Sequence, residues 1–272
     1  MNIASYQDLL DFTCIVLGKI SRSRTKIDAV APSMRSGMIP AFIIAERLNV
    51  PIMLDGRGYG GSRVALDKTK IKNVLVVEDS INTGGALKKE LSKYSDYNVF
   101  SCAIIAKSEN FKDLDFYGKK IEQPRIFEWN MFNCTNSNKI MFDMDGVICQ
   151  DPTVFDNDGV EYMNDIEQLS PLYLPGYKIH SIVTNRLEKW REVTEKWLIK
   201  HNVKYRELVM QQFSTAEERR RKSNTGTYKG NKFRDSNAAL FIESSLVQAE
   251  TISLVSKKPV FSIEQNKFLG KI

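Results

Sequence analysis

Two acid-bearing stretches of this chain have the residue types and spacing to act on phosphate. The first is Val74 to Gly85, VLVVEDSINTGG, where an apolar run ends in Glu78 and Asp79 and is followed by Ser80, Ile81, Asn82, Thr83, Gly84 and Gly85. Acids at the carboxyl end of a buried parallel strand stand where open α/β sheets take ligands, and they can hold ribose hydroxyls and a magnesium ion. A small-residue loop opening a helix then offers backbone N–H groups, the Thr83 hydroxyl and glycines that let the backbone approach, a cradle for one phosphate. The lysine of a triphosphate-binding loop and the three spaced glycines of a dinucleotide site are both missing, so acids ahead of the loop indicate a sugar phosphate. The second stretch, Ile140 to Cys149, reads IMFDMDGVIC. Asp143 and Asp145, two residues apart at a strand end, put both carboxyls on one side, and Gly146 allows a sharp exit.

The elements that must position these groups follow from periodicity. Tyr6, Leu9, Leu10, Thr13, Leu17 and Ile20 recur at helical spacing and predict a leading helix. A strand from Ile27 to Ala31 runs into a tight loop, Ser33 to Gly37, before a helix carrying Ala41, Ile44, Ala45 and Leu48, and this loop reads as a second anion site. Val50 to Leu54 read as a strand. The glycine- and arginine-rich segment after it, about 55 to 70, lacks apolar periodicity and reads as a mobile loop. Leu87, Leu91 and Tyr94 predict the helix after the phosphate loop, and Val99 to Ala106 a further strand with Lys107 at its end. The polar run 134–138, CTNSN, reads as a linker. Beyond it, Ile179 to Val183 and Ala239 to Ile242 read as strands. Arg186, Glu188, Trp190, Arg191, Thr194, Trp197 and Leu198 fit an amphipathic helix, and residues 217–223, EERRRKS, a solvated helix face.

The run VLVVEDSINTGG closely resembles the 5-phosphoribosyl 1-pyrophosphate (PRPP) motif of the type I phosphoribosyltransferases. The resemblance implies that Glu78 and Asp79 contact the ribose 2′- and 3′-hydroxyls, with Asp79 also toward Mg2+, and that Ser80 to Gly85 hold the 5′-phosphate. Arg35, Ser36 and Gly37 match the family's pyrophosphate-binding turn. Arg57, Arg63 and Lys68 fall where the family has a closing lid, and closure would exclude water from the reacting carbon. Lys107 falls where purine-using relatives meet the base, and Phe127, Trp129 and Phe132 are expected to form a hood over a planar base, Trp129 touching it.

The second stretch resembles the first motif, D-x-D-G, of the haloacid dehalogenase (HAD) superfamily of magnesium-dependent phosphatases. In that resemblance Asp143 is the nucleophile, Asp145 the proton donor and later the base, and Thr184 and Lys229 stabilise the phosphoryl oxygens. Asp143, the Asp145 carbonyl and Glu243 would hold Mg2+. Many relatives carry two adjacent acids at the last motif, whereas Ser244 follows Glu243 here, which places the phosphatase step in question.

Composition bounds these readings. The 272 residues suffice for roughly two domains and are 42% hydrophobic, ordinary for a globular protein. Cysteines 14, 102, 134 and 149 have no metal-like spacing and suit reduced thiols in a cytoplasmic protein. No apolar run approaches a membrane span, and the net charge of +6 suits anionic substrates without a specific nucleic-acid signal. The expectation is therefore α/β architecture: two tandem Rossmann-like three-layer domains with mainly parallel sheets, a phosphoribosyltransferase-like domain over 1–134 and a HAD-like domain over 138–272. The expected partners are PRPP, pyrophosphate and a nitrogenous base or nucleotide, with no membrane, and a homo-oligomer is left open. The rival class is a regulatory protein that binds PRPP or a nucleotide without turnover.

Overall fold

The computed structural model describes residues 1–54, 57–59, 68–107, 114–154 and 156–271. They divide into two compact units, Met1–Trp129 and Asn130–Ile272. Both are α/β, and both are built on a mainly parallel sheet. The stretch expected as a linker, 134–138, belongs to the second unit, where Ser137 is buried and donates to the Cys134 carbonyl at 2.6 Å.

The first unit orders its strands β4-β3-β2-β5-β6-β7, with β2 at Ala29–Pro32, β3 at Ile52–Leu54, β4 at Arg57–Tyr59, β5 at Asn73–Ile81, β6 at Asn98–Ala106 and β7 at Phe116–Lys120. Only β3 and β4 pair antiparallel. The sheet is covered on both faces, as a parallel sheet requires. Leu75 and Val77 face Leu9, Val16 and Ile20 of helix α1 (Tyr6–Ser23) and Ala41 and Ile44 of α2 (Met38–Leu48). Val74 and Val76, on the alternate side, face Leu87 of α3 (Gly85–Leu91) and Tyr94. A separate two-stranded parallel ribbon joins β1 (Asn2–Ala4) to β8 (Arg125–Phe127). Ser5 then caps α1 in a reciprocal box with Asp8, which fixes the start of that helix.

The second unit orders its strands β11-β10-β9-β12-β13-β14: β9 is Ile140–Phe142, β10 Ile179–Leu187, β11 Tyr205–Gln211, β12 Leu240–Glu243, β13 Val260–Ser262 and β14 Lys267–Leu269. All pair parallel except β13 with β14. Helices α4 (Gly159–Gln168) and α5 (Arg191–Lys200) pack on each other; α6 spans Ala216–Lys222, and α7 (Thr225–Arg234) packs on α8 (Leu246–Ser256). Phe233, Ala249 and Ile252 from the last pair bury Met141, Val183, Phe241 and Val260. Strand β11 forms one edge of this sheet. Two of its carbonyls accept from side chains, Leu208 from Arg191 at 3.1 Å and Met210 from the Tyr228 hydroxyl at 2.9 Å.

Three local expectations change. Strand β5 continues to Ile81, so Ser80 and Ile81 are strand residues paired with Ile105 and Ala106, and the loop shrinks to Asn82–Gly84. Arg186 lies in β10, ahead of the helix. Helix α6 is not wholly solvated, because Arg219 is buried.

Candidate active sites

In each unit the sequence-predicted acids lie on or just after the strands where the strand order reverses, the crevice in which open α/β sheets bind ligands. In the first unit the chain leaves β2 for β3 on one side and returns through β5 on the other. The turn after β2 and the acids of β5 therefore stand side by side. Pro32 pairs with Val77, and Ser33 N–H donates to the Val77 carbonyl at 2.8 Å. A Cβ on Gly37 would lie 2.5 Å from the Ser33 carbonyl oxygen and 2.6 Å from that of Val77, so only glycine lets the turn seat against β5. Arg35 is exposed, Ser36 half-buried and Gly37 buried.

Glu78 and Asp79 are adjacent in β5, and their carboxyl groups are hydrogen-bonded to each other. The Glu78 carboxyl, hydrogen-bonded to the Ser33 side chain, is pushed up to about 8 by burial and by the charges of Asp79 and Glu90. Asp79 is buried and its Oδ2 accepts the indole N–H of Trp129 at 2.7 Å. Asn82 and Thr83 are exposed, Gly84 is buried with a left-handed φ of 78°, and Gly85 opens α3. Two neighbouring carboxyls, one raised by its neighbour's charge, fit a divalent cation, because Mg2+ takes one or two carboxylates together with substrate phosphates. Lys107 is exposed at the end of β6. Arg63 lies outside the described residues; Arg57 opens β4 and Lys68 a short 3-10 turn.

The expected hood divides. Phe127 and Trp129 stack in the first unit with centroids 4.7 Å apart and planes at 3°. Phe132 belongs to the second unit, stacked on Tyr173 at 4.9 Å and tilted against Phe142. Arg125 is a site residue that sequence reasoning passed over. It is buried, donates to the carbonyls of Ile81 at 2.7 Å and Ile121 at 2.9 Å, and sits 5.3 Å from the Phe127 ring. A Q-P-R-I-F run gives no local signal of such contacts.

In the second unit the reversal falls between β9 and β12. Asp143 follows β9, and Glu243 ends β12. Fully buried Lys229 of α7 joins them, its Nζ 2.7 Å from Asp143 Oδ2 and 2.8 Å from Glu243 Oε2. Burial and the Glu243 charge push the Asp143 carboxyl well up against the pull of Lys229. Burial alone would lower Lys229, but the two acids outweigh it and raise it. Asp145 stands across Gly146, whose φ of +72° and whose 2.6 Å approach of a notional Cβ to Ser244 Cβ both demand glycine. Both oxygens of Asp145 accept from Arg186, Nη2 to Oδ1 at 2.5 Å and Nε to Oδ2 at 3.2 Å. Thr184 is fully buried, its hydroxyl accepting the Arg186 N–H at 3.2 Å.

Asp143, Asp145, Asp151, Pro152, Asn157, Asn185, Ser244 and Gln248 line a cavity of about 220 Å³. Asn185 and Gln248, which the motif reading did not single out for a role, form its amide wall: Asn185 donates to Gln248 at 3.1 Å and accepts from Gln211 at 3.3 Å. Asp151 is raised by burial and by Asp145 and Glu243. Among the described residues no group of three or more His, Cys, Asp or Glu is arranged to hold a metal by itself. Yet four carboxyls, Asp143, Asp145, Asp151 and Glu243, gather against two cations, Lys229 and Arg186. Of this all-oxygen set, Asp143 and Glu243 are engaged by Lys229 and Asp145 by Arg186, so Mg2+ would have to compete with both cations for its carboxylate ligands.

No protein-family model matches the chain, and no curated protein matches it in sequence. Among solved structures, Helicobacter pylori xanthine-guanine-hypoxanthine phosphoribosyltransferase is 17% identical, with a TM-score of 0.39 over 47% of this chain and 92% of that one. A purine phosphoribosyltransferase from Pyrococcus horikoshii is 17% identical, at 0.38 over 47% and 94%. Orotate phosphoribosyltransferase from Aeropyrum pernix is 16% identical, at 0.32 over 40% and 68%. Among the described residues no helix is long and apolar enough to cross a membrane.

Proposed function

We propose that the first unit transfers ribose 5-phosphate from PRPP to a nitrogenous base, releasing pyrophosphate, and that the second hydrolyses a phosphate monoester of the nucleotide or a related product. The observation that carries the first part is the meeting of two loops on paired strands. The Ser33–Gly37 turn seats on Val77, one residue before the acid pair, so a diphosphate and a ribose can be held at adjacent points. Backbone amides at Ser36 and Gly37 with the Arg35 charge take the pyrophosphate, Glu78 and Asp79 accept from the ribose hydroxyls, and Asn82 to Gly84 hold the 5′-phosphate. Mg2+, when bound, neutralises the charge that develops on the departing pyrophosphate. Lys107 at the end of β6 is the candidate contact for the base.

In the second unit Asp143 attacks phosphorus, the bond to the leaving oxygen breaks, and that oxygen takes a proton from Asp145. Asp145 then removes a proton from the water that opens the aspartyl phosphate. Lys229, bonded to the nucleophile, offsets the charge gathering on the phosphoryl group.

A second reading is a regulatory protein that binds PRPP or a nucleotide without turnover and carries a degenerate HAD-like domain; one observation favours it, that Arg186 engages both oxygens of Asp145, the proton donor of the phosphatase reading. Turnover separates the two. Pyrophosphate release from Mg·PRPP across a panel of purines and pyrimidines should depend on one of the bases and be lost in Asp79→Asn. Absence of release with every base, while PRPP still binds, would leave the binding reading in place of the transferase.

A further inference from the structure

Arg125 and Phe127 lie at alternate positions of β8 and therefore on one side of it, and Trp129 follows in the 3-10 turn Glu128–Asn133. The three form a continuous stack: the Arg125 guanidinium lies 5.3 Å from the Phe127 ring centroid, and Phe127 lies 4.7 Å from Trp129 with planes at 3°. The two ends of the stack grip alternate residues of β5. Arg125 Nη2 donates to the Ile81 carbonyl at 2.7 Å, and Trp129 Nε1 donates to Asp79 Oδ2 at 2.7 Å. Arg125 and Asp79 are each about 5% exposed or less, so neither contact is a loose surface encounter.

We infer that Trp129 is a positioning residue for the ribose site: together with the Glu78 carboxyl bonded to Asp79, its indole N–H fixes the rotamer in which Asp79 meets a sugar hydroxyl, and it does not read the base. The inference rests on the PRPP reading of the first unit. Its physical ground is that a carboxylate at the end of a side chain turns freely unless one oxygen is held. A charge-assisted N–H bond at 2.7 Å holds it. The indole is itself immobilised, stacked on Phe127 and flanked by the Tyr6 ring at 6.1 Å, tilted by 51°. Arg125 completes the device by anchoring the strand two residues further on, where the phosphate loop begins. The sugar acid and the start of the loop are thus set by one stack that runs from β8 into the 3-10 turn after it.

The test uses the full chain with Mg2+ and three ligands, PRPP, ribose 5-phosphate and pyrophosphate, titrated calorimetrically. Trp129→Phe keeps the ring and removes the N–H. It should weaken PRPP and ribose 5-phosphate by about tenfold, the scale of a hydrogen bond to a charged group, and leave pyrophosphate unchanged. In the double variant with Asp79→Ala the loss should equal that of Asp79→Ala alone, because a residue acting through Asp79 has nothing left to position. Losses that add, an equal loss for pyrophosphate, or unaltered PRPP affinity in Trp129→Phe would each overturn the inference while leaving the sugar site intact. If Asp79→Ala itself binds PRPP normally, the PRPP reading falls and this inference with it. The wild-type protein gives an independent readout that needs no variant to fold. The Trp129 indole N–H resonance, one of three in the chain, should move on adding ribose 5-phosphate and stay in place with pyrophosphate; a stationary signal in the presence of bound sugar phosphate contradicts the coupling.

Discussion

Arg186 holds Asp145 by both carboxylate oxygens, with its own side chain wholly buried and that of Asp145 only 20% exposed. The attraction to Asp145 outweighs the cost of burial and raises the guanidinium further above its ordinary value. Removing one partner of such a pair leaves the other charge poorly solvated. Arg186→Met should therefore cost about 3 kcal/mol, the lower end for a broken buried pair because Asp145 retains some solvent. Urea denaturation of the second unit reads this directly. A variant as stable as the wild type would mean that water replaces the guanidinium without loss.

Asp143→Asn should abolish magnesium-dependent release of phosphate from nucleotide and sugar phosphates, because an amide cannot form the aspartyl phosphate. Ser244→Asp, which adds a carboxylate to the wall of the same cavity, should tighten Mg2+ binding and raise the rate. Phosphate release with neither variant differing from wild type would remove Asp143 from the chemistry.

Glu78 gives the first unit a pH signature. Its carboxyl is pushed from about 4.5 to about 8, so between those values the folded protein keeps a proton that the unfolded chain has lost. The stability this contributes is complete below the lower value and is lost as the pH rises through the upper one. Relative to Glu78→Gln, the wild-type urea midpoint should fall from pH 5 to pH 8. A cation that displaces the proton should also make Mg·PRPP binding release it near neutrality, measurable by calorimetry in buffers of different ionisation enthalpy. A wild-type midpoint that climbs relative to the variant over this range would refute the assignment.

Gly37→Ala places a methyl group against two backbone carbonyls that cannot swing away. Overpacking of this kind costs about 1–3 kcal/mol, and the Ser33–Gly37 turn would lift from β5. Pyrophosphate affinity should fall more than ribose 5-phosphate affinity. Equal loss of both would locate the damage in the sheet and not in the turn.

The sequence carried the strand cores and the acid pairs because those signals are local. Val74 to Val77 and Ile140 to Phe142 are apolar runs ending in acids, and both appear as strands delivering those acids to a sheet reversal. What it withheld is nonlocal. Ser80 and Ile81 look like loop residues, yet β6 supplies partners 25 residues away and keeps them extended. Trp129 reaches Asp79 across 50 positions and Arg125 reaches Ile81 across 44, spans that no spacing rule detects. Arg186 fits a helical stripe by periodicity, but pairing along β10 and the pull of Asp145 place it on the strand.

The two side chains that cap β11 bear on how this protein keeps company with itself in a crowded solution. An outer strand with free carbonyls is a template on which another chain can lay a further strand, the first step toward fibres. Here Arg191 and Tyr228 already sit on the Leu208 and Met210 carbonyls. An incoming strand must displace a guanidinium and a phenol before it can form its own ladder, so growth from this side of the sheet is obstructed at its nucleation step.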